Sequence, residues 1–276
     1  MKSSSAIPVA VGGVGGSGTR VVANLLRHAG YFVGDDLNRP LDNLWFALFF
    51  TRASILDDPR FGEIVDLFSA RMSDPAFRAD ERSVALLDYL IERQAAHRPA
   101  DWLQERRRSF LRPSQSTQDA WGWKAPNTHM VIDRLLERLP TLRYVHVMRN
   151  GLDMAFSSNQ RQVGLWSGYM LGREAVPGPR DSLAFWCAVH RRIEALSERF
   201  PGRIMLVNFD SLCQNPAVAG RNIMTFCRRD MAESEFNGFV ESVLVPRSTG
   251  RFRDQSFADF DPDDVAYVGS LGFPTR

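Results

Sequence analysis

The spacing of hydrophobic residues near the amino terminus predicts a strand, a glycine-rich turn and a helix. Ile7–Val11 is a short apolar run that stops at glycines, which is typical of a buried strand. After the turn, Thr19–Ala29 carries apolar residues at helical spacing, and Gly30 is a typical helix stop. Tyr31–Gly34 then predicts a second short strand, which ends at an acidic pair.

Residues 40 to 112 carry long helical patterns and no convincing strand. The helices predicted there are Leu41–Leu56, Phe61–Met72, Ala76–Ala96 and Asp101–Leu111. Strand patterns then resume at Trp121–Lys124, Leu142–Met148 and Arg203–Phe209, and helical patterns alternate with them at Thr128–Leu139, Gly151–Gln162, Ser182–Phe200 and Pro216–Arg228. Such alternation predicts an α/β fold with a central parallel sheet flanked by helices. We expect residues 1–276 to form a single domain, with residues 40–112 as a helical insertion over the carboxyl edge of the sheet.

The composition narrows the class of protein. Hydrophobic residues make up 44% and charged residues 24% of the 276 positions, and the formal net charge is only +2, which argues against a nucleic-acid partner. No apolar run approaches a membrane span, and the first residues lack the apolar stretch of a signal peptide. The three cysteines are too scattered for a disulfide framework or a zinc site. We therefore expect a cytoplasmic protein without a membrane span, and the oligomeric state stays open.

The basic residues are almost all arginine. The chain has 34 lysines and arginines, of which only Lys2 and Lys124 are lysines. Lys2 lies at the amino terminus, so Lys124 is the single interior lysine. A compact ammonium group and a planar guanidinium are not interchangeable, which makes Lys124 a candidate for a specific chemical role.

A glycine-rich segment, residues 12–20, lies between the first predicted strand and helix, where a phosphate-binding loop belongs. Glycines let backbone N–H groups approach an anion, and the helix N-terminus adds a positive dipole end. A Walker A loop is disfavoured, because its lysine and hydroxyl residue are missing from their places. A dinucleotide fingerprint fits better, since Gly13, Gly15 and Gly18 match G-x-G-x-x-G and Asp35 follows where a ribose-binding acid belongs. The simplest alternative is a tight turn that binds nothing.

An arginine and a serine in the second half are not explained by a dinucleotide-binding enzyme. Arg149 follows the predicted strand Leu142–Met148, and Ser157 lies on the next predicted helix. An arginine at the carboxyl end of a strand can clamp a phosphate with its fork of donors, and a serine two turns into the following helix can reach the same anion. Taken alone, the pair also fits a surface arginine and a solvent-facing serine.

Several short motifs, in the same order along the chain, resemble the sulfotransferase family. Gly16-Ser17-Gly18-Thr19-Arg20 is similar to the family's S-G-T loop, with Gly16 where a basic residue is usual and Arg20 as the candidate to supply the charge. The other matches are Trp123-Lys124-Ala125-Pro126 (K-x-P), Arg149 to Ser157 (R-x₇-S), Leu206 to Leu212 with Pro216 (Y-E-D-L-x-x-x-P), Arg247 to Arg251 (a late nucleotide-covering loop) and Val268 to Phe273 (a terminal L-G-Y). The resemblance leaves residues 40–112 unmatched and implies a P-loop-like sheet.

The resemblance implies an enzyme that moves a sulfuryl group from 3′-phosphoadenosine 5′-phosphosulfate (PAPS) to a hydroxyl acceptor and releases adenosine 3′,5′-bisphosphate (PAP). Lys124 would act on the oxygen that bridges phosphate and sulfur, and no metal is required. The residues implied in donor binding are Gly15, Gly16, Ser17, Gly18, Thr19 and Arg20 for the 5′-phosphosulfate, Arg149 and Ser157 for the 3′-phosphate, Phe209 in place of a tyrosine near adenine, and Ser248 and Arg251 in the covering loop.

An acceptor hydroxyl needs a general base. The resemblance points to Asp36, or to its neighbour Asp35, shortly after the first helix. His129, which follows Lys124 at the start of a predicted helix, is the rival. The simpler interpretations are a turn or capping residue for Asp36 and an ordinary first-turn residue for His129.

The acceptor side of the site is the part that the motifs do not cover. Small-molecule, glycan and peptide hydroxyls are all acceptor classes compatible with the sequence. Trp166 and Tyr169 lie in a glycine-containing stretch that predicts a mobile lid, whereas the aromatic run Trp45–Phe50 is more typical of a core. The run Arg106-Arg107-Arg108 predicts a solvated helix face. The alternatives for the function are an NAD(P)-dependent Rossmann-type oxidoreductase and a non-enzymatic nucleotide-binding module.

Overall fold

Five parallel strands form the centre of the computed structural model, which describes residues 7–114 and 120–276; Lys2 lies outside them. The strands in chain order are β1 (Val9–Gly12), β2 (Tyr31–Phe32), β3 (Ala120–Lys124), β4 (Arg143–Met148) and β5 (Ile204–Asn208). Their order across the sheet is β2-β3-β1-β4-β5, and every neighbouring pair is parallel. The predicted α/β class with a central parallel sheet is confirmed.

The central strand β1 is buried on both faces. Val9, Ala10 and Val11 are fully shielded from solvent, as expected of a parallel strand covered by helices on each side. Alternate side chains point to opposite faces, so Ala10 belongs to one hydrophobic cluster and Val9 and Val11 to the other. This burial explains why β1 appears in the sequence as a continuous apolar run.

Helices cover both faces of the sheet. They are α1 (Thr19–His28), α2 (Leu44–Phe50), α3 (Phe61–Ser73), α4 (Glu81–Gln94), α5 (Ala100–Leu111), α6 (Ile132–Arg138), α7 (Gly151–Ala155), α8 (Arg161–Leu171), α9 (Pro179–Arg199), α10 (Phe209–Gln214), α11 (Pro216–Cys227), α12 (Glu233–Ser242) and α13 (Pro262–Ser270). Short 3₁₀ turns occur at Ala53–Ile55, Pro126–Met130 and Arg251–Asp254. Within the described ranges, no helix has the length and apolar character needed to cross a membrane.

The helices α2 to α5 form a block whose aromatic side chains pack on the sheet. Trp45, Phe46, Phe49 and Phe50 are all buried. The ring of Phe46 stacks on that of Trp123 in β3, with centroids 5.9 Å apart. The interpretation of this aromatic run as core is therefore confirmed.

Local side-chain caps shift two of the predicted helix starts. The helix expected over Leu41–Leu56 begins only at Leu44, because the Asn43 side chain accepts a hydrogen bond from the Phe46 N–H. The helix expected over Ala76–Ala96 begins at Glu81, where Asp80 caps the N–H of Ser83 in the same way. The predicted helix Thr128–Leu139 divides into the 3₁₀ turn Pro126–Met130 and α6.

The predicted helix Gly151–Gln162 is also divided, into α7 and α8. The Gln160 side chain donates to the carbonyls of Ala155 and Ser157 at 3.1 and 2.6 Å. In a continuing helix these carbonyls would accept backbone N–H groups, so the side chain takes the place of the next helical turn. The placement of Trp166 and Tyr169 in a loop-like stretch is consequently wrong, and their role as a lid stays a prediction. Both residues lie on α8, and Trp166 is buried while Tyr169 is exposed.

Candidate active site

The residues singled out by the motifs collect where the strands end. The glycine loop follows β1, Lys124 is the last residue of β3, Arg149 follows β4, and Phe209 follows β5. Since all five strands are parallel, these positions share the carboxyl edge of the sheet, which is where α/β folds bind ligands. The edge is therefore the candidate active site.

The glycine loop presents polar groups at the positive end of α1. Gly16 and Gly18 have φ values of 99° and 92°, which other residues rarely adopt. The loop closes through a 3.0 Å hydrogen bond from the Ser17 N–H to the Val14 carbonyl. The Ser17 hydroxyl is buried and has no hydrogen-bond partner among the residues that the structure describes. A buried hydroxyl without a partner, at a helix N-terminus, fits an anionic ligand.

Arg149 forms a second centre of positive charge at this edge. Its guanidinium is almost fully buried, and one terminal nitrogen donates to the Ser248 hydroxyl at 2.9 Å. Burial lowers the pKa of Arg149, and the Asp153 carboxylate, 3.9 Å away, opposes that shift. The Nε of Arg149 has no hydrogen-bond partner within the described part of the chain. Part of the donor fork is thus unpaired within the described residues.

Asp153 holds the late loop over Arg149. This buried carboxylate accepts the N–H of Gly250 at 2.8 Å and that of Phe252 at 3.3 Å. Within the same loop, Arg251 Nε donates to the Ser248 carbonyl at 3.2 Å. The structure therefore brings Arg149, Ser248 and Arg251 together, and their roles towards a nucleotide stay a prediction. The sequence analysis missed Asp153, although a carboxylate one helical turn after Arg149 was a signal for it.

Ser157 does not lie on a helix. Because α7 ends at Ala155, the serine occupies the turn that follows, and its hydroxyl accepts the Asn159 N–H at 3.2 Å. The placement two turns into a helix was wrong for the reason given above, the capping by Gln160. The turn nevertheless adjoins the late loop, since Arg251 donates to the Phe156 carbonyl at 3.5 Å. The role of Ser157 towards a phosphate stays a prediction.

Lys124 is buried beside a carboxylate that the sequence analysis did not identify. Its ammonium donates to the Asp42 carboxylate and, at 3.2 Å, to the Pro40 carbonyl. Burial lowers the pKa of Lys124, the charge of Asp42 counteracts this shift, and the nearby Arg20 adds to it. Arg20 itself is exposed. The charge of Arg20 thus reaches the buried lysine from an exposed position.

Asp36 and Asp35, the predicted bases, are held by arginines of the helical block. One oxygen of Asp36 contacts Arg106 Nε at 2.7 Å and also accepts a hydrogen bond from the Ser109 hydroxyl. Asp35 pairs with the buried Arg71 at 3.1 Å. The expectation of a solvated arginine face on α5 is wrong for Arg106, whose side chain is only 12% exposed, because its partner comes from a distant segment. The role of Asp36 as base stays a prediction.

His129, the rival base, belongs to the core. It is fully buried in the 3₁₀ turn after β3, with its ring centroid 6.2 Å from that of His146. Burial lowers the pKa of His129 to about 3, so the imidazole is neutral. Its Nε2 lies 3.3 Å from the Gln162 side-chain oxygen, which also accepts the Gly15 N–H at 3.1 Å. His129 is therefore shielded from solvent and contacts the glycine loop indirectly, through the Gln162 side chain.

A protein-family model matches most of the chain. A model described as "Sulfotransferase family" matches residues 8–233, which include all five strands and the glycine loop. The chain belongs to the sulfotransferase family. This sulfotransferase prediction is confirmed, and the alternative of a Rossmann-type oxidoreductase is not supported. No curated protein sequence matches the chain.

Solved structures show the same fold at low sequence identity. The sulfotransferase domain of the Synechococcus PCC 7002 olefin synthase is similar with a TM-score of 0.51 and 15% identity, over 99% of this chain and 98% of that chain. The sulfotransferase domain from the curacin biosynthetic pathway gives 0.51 and 15%, over 98% of each chain. Sulfotransferase STF1 from Mycobacterium tuberculosis H37Rv gives 0.44 and 14%, over 86% of this chain and 71% of that chain. For the two structures with TM-scores of 0.51, the likeness at such identities concerns the fold alone.

Proposed function

We propose that this sulfotransferase uses PAPS as its donor and transfers the sulfuryl group to a hydroxyl acceptor, with PAP as the second product. The observation that carries the proposal is a pair of buried polar atoms without partners in the described residues, Ser17 Oγ and Arg149 Nε. They belong to neighbouring segments, because Gly13 packs against the carbonyl of Val147 at the end of β4. Two adjacent sites for anions suit a donor that carries a 5′-phosphosulfate and a separate 3′-phosphate.

The chain's own residues divide the binding of the donor between them. The loop from Gly15 to Thr19, together with Arg20, would hold the 5′-phosphosulfate through backbone N–H groups, the Ser17 hydroxyl and one guanidinium. Arg149, with Ser248, Arg251 and the turn at Ser157, would hold the 3′-phosphate. Phe209 would lie near the adenine. As part of the proposal, residues 1–276 act as one domain, and residues 40–112 cover the edge of the sheet.

Lys124 would stabilise the leaving group. Sulfuryl transfer, like phosphoryl transfer, develops negative charge on the oxygen that separates from the transferred group. A buried ammonium acts strongly on such a charge because little water screens it. Lys124 and Arg20 supply positive charge at this point, so the proposed reaction needs no metal ion. The acceptor is a hydroxyl of a small molecule, a glycan or a peptide.

Binding of PAP tests the donor assignment. We expect PAP to raise the melting temperature in a concentration-dependent way, with about 2.7 kcal/mol of stabilisation at a hundredfold excess over Kd. Adenosine 5′-monophosphate, which lacks the 3′-phosphate, is the matched control and should stabilise far less. NAD and NADP should stabilise little. Equal effects of PAP and adenosine 5′-monophosphate would contradict a 3′-phosphate site.

Transfer of labelled sulfate separates an enzyme from a binding module. With PAPS labelled in the sulfuryl group, the protein should release sulfate to water slowly and label hydroxyl compounds in an acceptor panel. Tight PAP binding without either reaction would favour the binding module.

A further inference from the structure

The structure places a carboxylate, Asp42, in contact with the lysine assigned to the leaving group. We propose that Asp42, rather than Asp36, is the general base that takes the proton of the acceptor hydroxyl. The inference rests on the proposed function and deepens it. Asp42 lies outside the sequence motifs, and only the folded loop brings it to Lys124.

The loop that carries Asp42 is fixed at several points. The backbone N–H of Asn43 donates to the carbonyl of Lys124 at 2.8 Å, which anchors the loop directly on the end of β3. The side chain of Asn38 contacts Asp42 twice, since its oxygen accepts the Asp42 N–H at 2.7 Å and its amide donates to the carboxylate at 2.8 Å; the Asn38 backbone N–H also donates to the Asp42 carbonyl at 3.2 Å. The side chain of Asp42 is therefore held in place before any ligand binds.

Leu41 shows that this loop is held under strain. Its φ is 67°, in the left-handed region that non-glycine residues rarely enter. Such conformations persist where the surrounding contacts over-determine the backbone, and they cluster at functional sites. Here the hydrogen bond from Asn43 to the Lys124 carbonyl and the hydrogen bonds between Asn38 and Asp42 supply those contacts. They hold the Asp42 carboxylate beside the Lys124 ammonium.

Exposure distinguishes Asp42 from the lysine beneath it. The side chain of Asp42 is 26% exposed, whereas that of Lys124 is 4% exposed. A hydroxyl that approaches from solvent meets the carboxylate first and the ammonium behind it. Asp36, in contrast, is 10% exposed, and one of its oxygens already contacts both Arg106 and Ser109. Asp42 thus has a more accessible carboxylate than Asp36. It also contacts Lys124, the residue proposed to stabilise the leaving group.

Lys124 donates two hydrogen bonds to described residues and keeps one N–H donor for the reaction. An ammonium has three N–H donors, and the contacts with Asp42 and the Pro40 carbonyl use two of them. The third is available for the bridging oxygen of the donor. Lys124 would then link the base to the leaving group.

The proposed step begins at one acceptor hydroxyl. Its O–H bond breaks and the proton moves to a carboxylate oxygen of Asp42, while the acceptor oxygen forms a bond to sulfur. The bond between sulfur and the bridging oxygen breaks, and the electron pair stays on that oxygen, which becomes a phosphate oxygen of PAP. The proton on Asp42 later passes to solvent.

Substitution of Asp42 by asparagine tests the inference, because asparagine keeps the shape and an oxygen for Lys124 but is not a base. The probes are labelled PAPS, with water and a panel of phenols as acceptors, and PAP for binding. We expect Asp42→Asn to lower the rate of sulfuryl transfer by about 10²- to 10⁴-fold, with PAP affinity close to that of the wild type. The rival variant Asp36→Asn should keep a far larger share of the rate. Asp88→Asn, which removes an exposed partner of Arg107, controls for the loss of a surface carboxylate.

Two further readouts separate a base from a residue that only orients Lys124. Added formate should restore part of the rate of Asp42→Ala, and the acidic limb of the pH–rate profile should be absent in Asp42→Asn. A wild-type rate in Asp42→Asn overturns the inference, and so does a slow variant with an unchanged pH profile and no formate rescue. If the wild type binds no PAP, the donor assignment itself fails. That result is distinguishable from a failure of the Asp42 proposal, because it is measured on the wild type alone.

Discussion

The ring of Phe209 lies against Gly18, where any other residue would place its β-carbon. A Cβ on Gly18 would be 2.3 Å from carbons of the ring, far inside van der Waals contact. The backbone of Gly18 also has a φ of 92°, which disfavours any side chain. The contact joins the start of α1 to the end of β5, so the glycine loop is shaped by a residue from the far side of the site.

Replacement of Gly18 by alanine should therefore disrupt the loop. We expect Gly18→Ala to lose the stabilisation by PAP and to destabilise the protein by clearly more than the left-handed backbone alone would cost. Thermal denaturation with and without PAP measures both effects. Gly172→Ala is the matched control, because Gly172 has a φ of 66° but open space around it, and it should cost about 1–2 kcal/mol while leaving PAP binding intact. Equal behaviour of the two variants would contradict the proposed role of the Phe209 contact.

Arg149 should determine the preference for a 3′-phosphate. We expect Arg149→Gln to weaken PAP binding strongly and adenosine 5′-monophosphate binding only slightly, because only PAP places a phosphate at this guanidinium. Hydrogen bonds to charged groups contribute about 1.5–3 kcal/mol each, so the preference should fall by at least tenfold. Calorimetric titration of both nucleotides measures the ratio. An unchanged ratio would remove Arg149 from the 3′-phosphate site.

Asp153 should keep the late loop closed. Asp153→Ala leaves the N–H groups of the half-buried Gly250 and the buried Phe252 without their acceptor, at about 1–3 kcal/mol for the buried group and less for the other. We expect faster proteolytic cleavage near residues 247–252 and weaker PAP binding. Asp66→Ala, which removes an exposed ion pair with Arg138, should do neither. The same cleavage rate in both variants would show that Asp153 does not hold the loop.

Lys124 should affect turnover more than binding. Lys124→Arg keeps the charge but replaces a compact ammonium with a planar group, so we expect PAP affinity to persist and the rate of transfer to fall by about 10²-fold or more. Single-turnover kinetics with labelled PAPS measures the chemical step. A rate equal to that of the wild type would exclude Lys124 from the mechanism.

Stability should fall below neutral pH because of buried histidines. Burial lowers the pKa of His129 to about 3 and that of His190 to about 4. In the unfolded chain a histidine has a pKa of about 6.5, so between these values only the unfolded state binds the proton. The free energy of unfolding is therefore at its full value above about pH 6.5 and falls by about 1.4 kcal/mol per pH unit for each histidine as the pH decreases below it.

Urea denaturation at several pH values between about 7.5 and 5 tests this dependence. His190→Gln should make the decrease shallower, and His97→Gln, which changes an exposed histidine, should not. A free energy of unfolding that is constant over this range would contradict the burial of neutral imidazoles.

The sequence by itself determined the sheet and the positions of the candidate anion-binding residues along it. Short apolar runs such as Val9–Val11 are recognisable because a parallel strand is buried on both faces. The glycines of the loop and Arg149 could be found because each lies immediately after such a run, and parallel strands bring their carboxyl ends together. The helix start after Asn43 and the break between α7 and α8 were missed because side-chain hydrogen bonds decide them, one accepted by Asn43 and several donated by Gln160.

Only the tertiary structure decided which side chains meet. Asp42 and Lys124 are 82 positions apart, and Asp36 and Ser109 are 73 apart, so no local pattern could pair them. Packing also decided the state of His129, since burial removes its charge and turns a candidate base into a core residue. Local sequence sets the strands and turns because their causes are local, whereas contact and burial depend on the whole fold. The contact between Asp42 and the one interior lysine is a property of that second kind.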